Sequence, residues 1–281
     1  MSIEQGTLYV VATPIGNLGD ISRRALEVLT QVDLIAAEDT RHSGNLLHQF
    51  GISTPLKALH EHNEAQVSAV LLARLERGDS LALISDAGTP LISDPGFHFV
   101  REARARGVAV VPVPGPSALV AALSVSGLPT DRFVFEGFLP PKGGARRQTL
   151  ERLKEERRTL VFYEAPHRVQ EALADMAAIL GSARRAVLAR ELTKTFETVR
   201  GDTLEALARF VAEDPQQRRG EIVLMVQGAP EPETSALDRD AQRVADLLAE
   251  ELPVKQAAAL AARITGVKKN LLYRYLVERR E

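Results

Sequence analysis

For most of the chain, short apolar runs alternate with segments of helical spacing. Residues 7–12 form an apolar run of buried-strand length. Residues 21–29 follow with helical spacing, and Asp20 stands where a capping side chain belongs. Residues 32–37, 81–84 and 108–113 are further β-rich runs, and a helix over 97–106 fills the last gap and stops at Gly107. The second half repeats the alternation. Strands are expected over 133–136, 159–163, 186–190 and 221–226, with helices over 147–156, 169–180 and 204–211. Strands alternating with helices predict an α/β fold with mainly parallel sheets covered by helices.

Two breaks divide this pattern. Pro112-Val113-Pro114-Gly115-Pro116-Ser117 stiffens the chain and stops a strand, and Ser117 is placed to cap a helix over 118–125. The polar, proline-bearing stretch 228–235 is the second break. The expected division is therefore an N-terminal α/β domain (1–115), a second α/β domain (116–228) and a helical tail (236–281). Within the tail, helices over 255–264 and 269–276 flank a turn at Gly266, which is helix-turn-helix spacing.

Composition narrows the classes. The 281 residues contain no cysteine, which removes disulfides and thiolate sites and fits a reducing compartment. No apolar run reaches membrane-spanning length and the first residues carry no basic leader, so a cytoplasmic protein with no membrane partner is expected. A net charge of −2 argues against wholesale charge-driven binding to nucleic acid but allows local patches. From Pro253 onward seven Lys and Arg face two Glu. The absence of tryptophan leaves no evident stacking platform. The histidines, including the close His60 and His62, lack a metal-binding pattern, so no metal is expected. No nucleophile elbow is present.

Candidate chemistry gathers at strand ends, where open α/β sheets bind ligands. Residues 13–20, Thr-Pro-Ile-Gly-Asn-Leu-Gly-Asp, follow the first strand without a dinucleotide or P-loop spacing. Glu38-Asp39-Thr40-Arg41-His42 follows the second. Glu38 or Asp39 is the favoured candidate base there and Arg41 a phosphate ligand, with a helix cap by Asp39 or Thr40 as the structural alternative. The turn-rich loop 85–96, Ser-Asp-Ala-Gly-Thr-Pro-Leu-Ile-Ser-Asp-Pro-Gly, can bring backbone close to a polar ligand or simply satisfy its own amides. Glu164, Arg168, Glu191, Lys194 and Glu197 lie at two later strand ends, as a polar network or as domain-holding ion pairs. The stretch 140–147, Pro-Pro-Lys-Gly-Gly-Ala-Arg-Arg, reads as a flexible cationic loop.

In this order these motifs, with Pro-Gly-Pro-Ser-Ala (114–118), Phe-Tyr-Glu-Ala-Pro-His-Arg (162–168) and Arg-Glu-Leu-Thr-Lys (190–194), resemble the bacterial small-subunit ribosomal RNA methyltransferase I family of the tetrapyrrole methylase superfamily. The resemblance implies two α/β domains with S-adenosylmethionine between them, usually in a homodimer. It implies methylation of a cytidine ribose 2′-hydroxyl in the decoding region of small-subunit RNA. The matching cofactor positions are Pro14, Ala87, Gly88, Thr89, Ile92, Ser117, Ala118, Glu164 and Leu192. Gly88-Thr89-Pro90 stands where many relatives have Gly-Asp-Pro, so no role borrowed from that carboxylate carries over.

Methyl transfer to a ribose hydroxyl needs alignment and help with a proton. Asp39 or Glu38 as base, with Arg41 and Lys194 placing phosphate or lowering the hydroxyl's pKa, are the expected catalytic groups. Lys142, Arg146, Arg147, Lys268 and Lys269 are the expected RNA contacts. The rival readings are a methyltransferase of tetrapyrroles or, more remotely, of protein, and a nucleic-acid-binding module whose α/β body is only a scaffold.

Overall fold

Period-two alternation builds the first lobe. Thr7–Val11 (β1), Leu34–Ala37 (β2), Leu56–Ala58 (β3), Leu81–Ile84 (β4) and Ala109–Val113 (β5) pair in the order β3-β2-β4-β1-β5, all parallel. On one face Tyr9, Val11, Ile35 and Ile84 pack with Ala25, Val28 and Leu29 of Arg23–Gln31 (α1) and Leu47 of Thr40–Gln49 (α2). On the other, Leu8, Leu34, Leu81 and Leu83 meet Leu71 and Leu72 of Glu64–Glu76 (α3) and Phe99 of Phe97–Ala105 (α4). This computed structural model describes residues 3–230 and 239–279.

The chain leaves β1 toward β2 and leaves β4 toward β5, in opposite directions along the sheet. Neighbouring strands β1 and β4 therefore form the switch point, where a crevice opens at their carboxyl ends. Two backbone hydrogen bonds between Thr13 and Gly88, 2.9 and 3.1 Å, tie the loops after these strands together.

One cap differs from expectation. Leu18–Asp20 tightens into a 3₁₀ turn, and Ser22 caps α1 by accepting the Ala25 N–H at 3.0 Å. Asp20 is thus inside a turn rather than at the cap. Ser117 does occupy the N-cap position of Ala118–Ser126 (α5), but its side chain makes no capping bond.

The second sheet corrects the expectation of parallel pairing. Phe133–Phe138 (β6) and Thr159–Glu164 (β7) are parallel, but Arg185–Arg190 (β8), Thr198–Thr203 (β9) and Ile222–Val226 (β10) join antiparallel, in the order β6-β7-β10-β8-β9. The reason is connectivity. β8 and β9 are joined by a short loop, and only crossovers of a dozen or more residues permit parallel neighbours. Gly143–Leu153 (α6), Val169–Leu180 (α7) and Leu204–Glu213 (α8) cover one face. The other face packs against α5, Ile15 and Leu192.

The stretch read as a flexible loop over 140–147 instead ends in the first turn of α6. Arg146 and Leu150 share its buried face, four residues apart. Both sheets belong to one compact unit that runs through Ala229. The second unit comprises Arg239–Glu251 (α9), Val254–Thr265 (α10) and Lys269–Glu278 (α11) around buried alanines and Leu272 and Leu276. At the expected turn, Gly266, at φ +74, closes α10 in a left-handed cap. The expected break at 228–235 lies, from residue 231, outside the described residues, as do 236–238 of the expected tail. No helix among the described residues is long and apolar enough to cross a membrane.

Candidate functional site

The crevice at the switch point deepens into a cleft of about 500 Å³. Its first wall is the loop after β4, with Ala87, Gly88, Thr89, Ile92 and Asp94. Its second is the start of α5, with Ser117 and Ala118, and its third the face of the second sheet around Tyr163, Leu192 and Val223. Thr89 Oγ1 donates to the Pro116 carbonyl at 3.0 Å and so fixes the first wall to the second.

Two loops hold strained backbone beside this cleft. Leu91 and Ser93 in the first wall, and Glu191 and Thr193 in the loop after β8, have φ between +51 and +79. They are the non-glycine residues at positive φ among the described residues. Each conformation costs on the order of 1–3 kcal/mol, which surrounding contacts must hold in place. Gly88, at φ +83, needs its glycine, since a Cβ there would come within 3.3 Å of Ile15.

Of the nine cofactor positions implied by resemblance, Ala87, Gly88, Thr89, Ile92, Ser117, Ala118, Glu164 and Leu192 line this one cleft. Pro14 is buried and lines a neighbouring hollow with Gly16, His42 and Asn45. Glu164 differs in kind from the rest. Its side chain is buried and held by Arg168 at 3.2 Å and by the Ala165 N–H at 2.8 Å, so its carboxylate faces structural partners.

The expected catalytic residues separate. Glu38 lines the cleft, and burial first, then Asp86 and Asp94, raise its carboxyl above the ordinary range. Asp39 is exposed and caps α2, accepting the Arg41 and His42 N–H groups at 2.7 and 3.3 Å. Those bonds lower its pKa and make it a poor base, so the capping alternative is the one the geometry supports. Arg41 is exposed on the first turn of α2 and does not line the cleft. Lys194 is engaged twice, with Glu191 at 2.8 Å and Glu221 at 2.6 Å. Burial disfavours its charge, but these bonds outweigh that and raise its pKa. These two bonds tie Lys194 to the loop after β8 and to Glu221.

Of the expected RNA contacts, Lys142, Arg147, Lys268 and Lys269 are exposed. Arg146 is corrected. It is 3% exposed and binds Asp175 at 2.6 Å and Glu171 at 3.1 Å, so it cannot meet phosphate without breaking the packing of α6 on α7.

Asp94, on the same loop as Gly88, is a further carboxylate at the site. It lines the cleft, and burial raises its carboxyl to about 6, with Asp86 adding and Ser85 opposing. Glu38, Asp86 and Asp94 thus surround one part of the cleft with carboxylates. Ile15, Ile92, Leu192 and Val223 supply apolar walls. The volume lies within the range of small-molecule sites. Apolar walls with a carboxylate cluster suit S-adenosylmethionine, which joins an apolar body to a cationic sulfur and an ammonium.

Comparison with known proteins agrees with this architecture. The family model described as Tetrapyrrole (Corrin/Porphyrin) Methylases matches residues 7–208, and that described as RsmI C-terminal HTH domain matches 235–280. The Ribosomal RNA small subunit methyltransferase I of Pseudomonas aeruginosa is 62% identical over 98% of both chains. The protein of the same name from Escherichia coli O157:H7 is 57% identical over 98% of this chain and 96% of its own. Among solved structures, a cobalt precorrin-4 methyltransferase superposes with a TM-score of 0.59 at 15% identity, covering 79% of this chain and 95% of that one. Uroporphyrin-III-C-methyltransferase from Thermus thermophilus gives 0.55 at 22% identity, covering 79% and 94%. At those identities the structures speak for the fold alone, whereas the sequence relatives span the whole chain. The chain belongs to the ribosomal RNA small subunit methyltransferase I family of the tetrapyrrole methylases.

Proposed function

We propose that this protein uses S-adenosylmethionine to methylate the ribose 2′-hydroxyl of a cytidine in the decoding region of 16S ribosomal RNA. The observation that carries the reading is the single cleft that gathers eight implied cofactor positions beside Glu38, Asp86 and Asp94. Relatives named as small-subunit RNA methyltransferases support the RNA acceptor.

S-adenosylmethionine, when bound, supplies a methyl group on a cationic sulfur that departs as a neutral thioether. The protein's part is alignment and proton removal. The Thr13–Gly88 pairing and the Thr89–Pro116 bond fix the cofactor side of the cleft. Asp94, poised near neutral pH, accepts the hydroxyl proton as oxygen bonds to carbon, with Glu38 beside it keeping the region negative. Lys142, Arg147, Lys268 and Lys269 meet RNA phosphates. The reading includes a cytoplasmic homodimer, and exposed Val120 and Val125 on α5 offer apolar surface for a second copy.

Tritium transfer from labelled S-adenosylmethionine to purified small subunits that lack this modification, followed by nucleoside analysis, is the test. Label in 2′-O-methylcytidine is expected. A protein that binds the cofactor but leaves RNA unlabelled would overturn the acceptor and point to a tetrapyrrole or protein. A protein with no affinity for the cofactor would overturn the enzyme.

A further inference from the structure

Strand β6 carries one residue more than its partner needs. Val134 pairs with Leu160 and Phe135 with Val161, but the next pairs are Gly137 with Phe162 and Phe138 with Tyr163. Glu136 is therefore the extra residue of a β-bulge. Parity gives this its meaning. Val134, Leu160 and Phe162 pack into the helix-covered core, whereas Phe135, Val161 and Tyr163 pack on the opposite face, toward the cleft. Regular alternation would put residue 138 on the side of Val134. The bulge moves it to the side of Phe135 and Tyr163. Gly137, at φ +64, absorbs the kink.

The outcome is a ring cluster at the cleft. Phe135 and Phe138 meet Tyr163 edge-to-face at 4.9 and 5.7 Å between centroids. Phe138 lines the cleft yet is 53% exposed. A bulge with a left-handed glycine thus turns a phenylalanine from a core-facing position to a solvent-facing one, and Tyr163 buttresses the ring there. Packing gains only the edge contact with Tyr163 from that exchange, whereas a ligand with a flat face gains the exposed side of the ring.

We propose that Phe138 stacks on the base of the acceptor nucleotide and so places its ribose at the cleft. This rests on the reading that RNA is the acceptor. A nucleotide of folded RNA must leave its stack to present a sugar hydroxyl inside a cleft, and an aromatic ring replaces the lost neighbour. Lys142, four residues on and exposed at the start of α6, is placed for the adjoining phosphate.

The test compares Phe138→Ala, Phe138→Leu, Phe138→Tyr and Phe138→Trp. Wild-type transfer of label to small subunits is established first. A wild type that labels no RNA removes the acceptor itself and is recognised before any variant is read. Leu nearly fills the same volume and keeps the fold, but lacks a π face. The Ala and Leu variants are expected to lower kcat/KM for small subunits on the order of tenfold to a hundredfold. Their S-adenosylmethionine Kd, measured by equilibrium dialysis, stays within about twofold, and Tyr and Trp retain most of the wild-type kcat/KM. A Leu variant as active as wild type would overturn stacking. So would a cofactor Kd that weakens in step with kcat/KM, which would give the ring to the adenine.

Discussion

The stem of Lys194 lies across Gly16, and a Cβ built on that glycine would stand 2.5 Å from both Cγ and Cε of the lysine. The ammonium is anchored beyond by Glu191 and Glu221, so the lysine cannot simply swing away. A residue after β8 therefore clamps the first turn after β1, one residue from Ile15 and two from Leu192, which both line the cleft. Gly16→Ala is expected to cost about 1–2 kcal/mol, combining the clash with the strain of alanine at φ +148. Lys194→Ala removes the obstruction, so the double variant should lose less than the sum of the two single losses. Urea unfolding of all four proteins measures this coupling, and strict additivity would mean that the two sites do not touch in solution.

Asp94 ties activity and stability to pH with opposite signs. As the proton acceptor it must be ionised, so kcat/KM should rise with pH through an apparent pKa of about 6. Asp94→Asn should abolish that limb and lower turnover on the order of a hundredfold. For stability, the folded pKa lies above the ordinary value of 3.8. The native state therefore holds the proton more tightly, and the contribution is full below about pH 4 and lost as pH rises through 6. At pH 7.5 Asp94→Asn should gain about 1 kcal/mol, a figure reduced for the group's partial exposure. A variant both slower and less stable at that pH would make Asp94 structural.

Glu38 and Asp39 are adjacent but should behave differently. Asparagine caps a helix as well as aspartate, so Asp39→Asn should leave turnover within about twofold, and Asp39→Ala should lower the Tm through loss of the cap. Glu38→Gln keeps the shape of the cleft wall but removes charge, and its expected effect is on S-adenosylmethionine Kd, weakened about tenfold. Loss of turnover in Asp39→Asn would restore that residue to the chemistry.

What could be read from the chain follows its physics. Strand β4 is legible to the residue because a fully buried run, Leu81–Ile84, stands between turn formers. β3 and β9 escaped because edge strands need no apolar alternation; β9 reads Thr-Val-Arg-Gly-Asp-Thr and is largely exposed. α3 is absent from the expected elements, although its apolar positions Leu71, Leu72 and Leu75 carry helical spacing. The cleft is legible because its walls are loops rich in turn-forming residues. Asp94 does not stand out in the sequence, because burial that raises a carboxyl is a tertiary property. Phe138 was invisible for another reason. One extra residue in β6 inverts the parity on which strand reading depends.

Arg146 illustrates the same limit and sets a stability prediction. Placed in a loop, it reads as one of two adjacent phosphate ligands; placed on α6, it faces inward with Leu150. Arg146→Ala leaves Asp175, only 15% exposed, without its closest partner. A loss of about 3 kcal/mol is expected, visible as a lowered Tm. Arg147→Ala, 56% exposed and 3.4 Å from the same carboxylate, should cost under about 1 kcal/mol. Equal losses would mean that the two arginines share the burial.

RNA affinity supplies the last test, because counterion release counts phosphate contacts directly. Each cation that neutralises a phosphate adds about 0.7–0.9 to the slope of log K against log salt. Lys142 and Arg147 stand in the first unit, Lys268 and Lys269 at the start of α11 in the second. If both surfaces meet RNA, each double alanine variant should reduce the slope by about 1.5, and the quadruple variant by about twice that. Arg146→Met serves as the internal control. It removes a charge, but one already spent on Asp175, so it should leave the slope unchanged. A slope altered only by the Lys142 and Arg147 pair would confine RNA binding to the α/β unit. A slope altered only by the α11 pair would assign recognition to the tail and leave the cleft to chemistry.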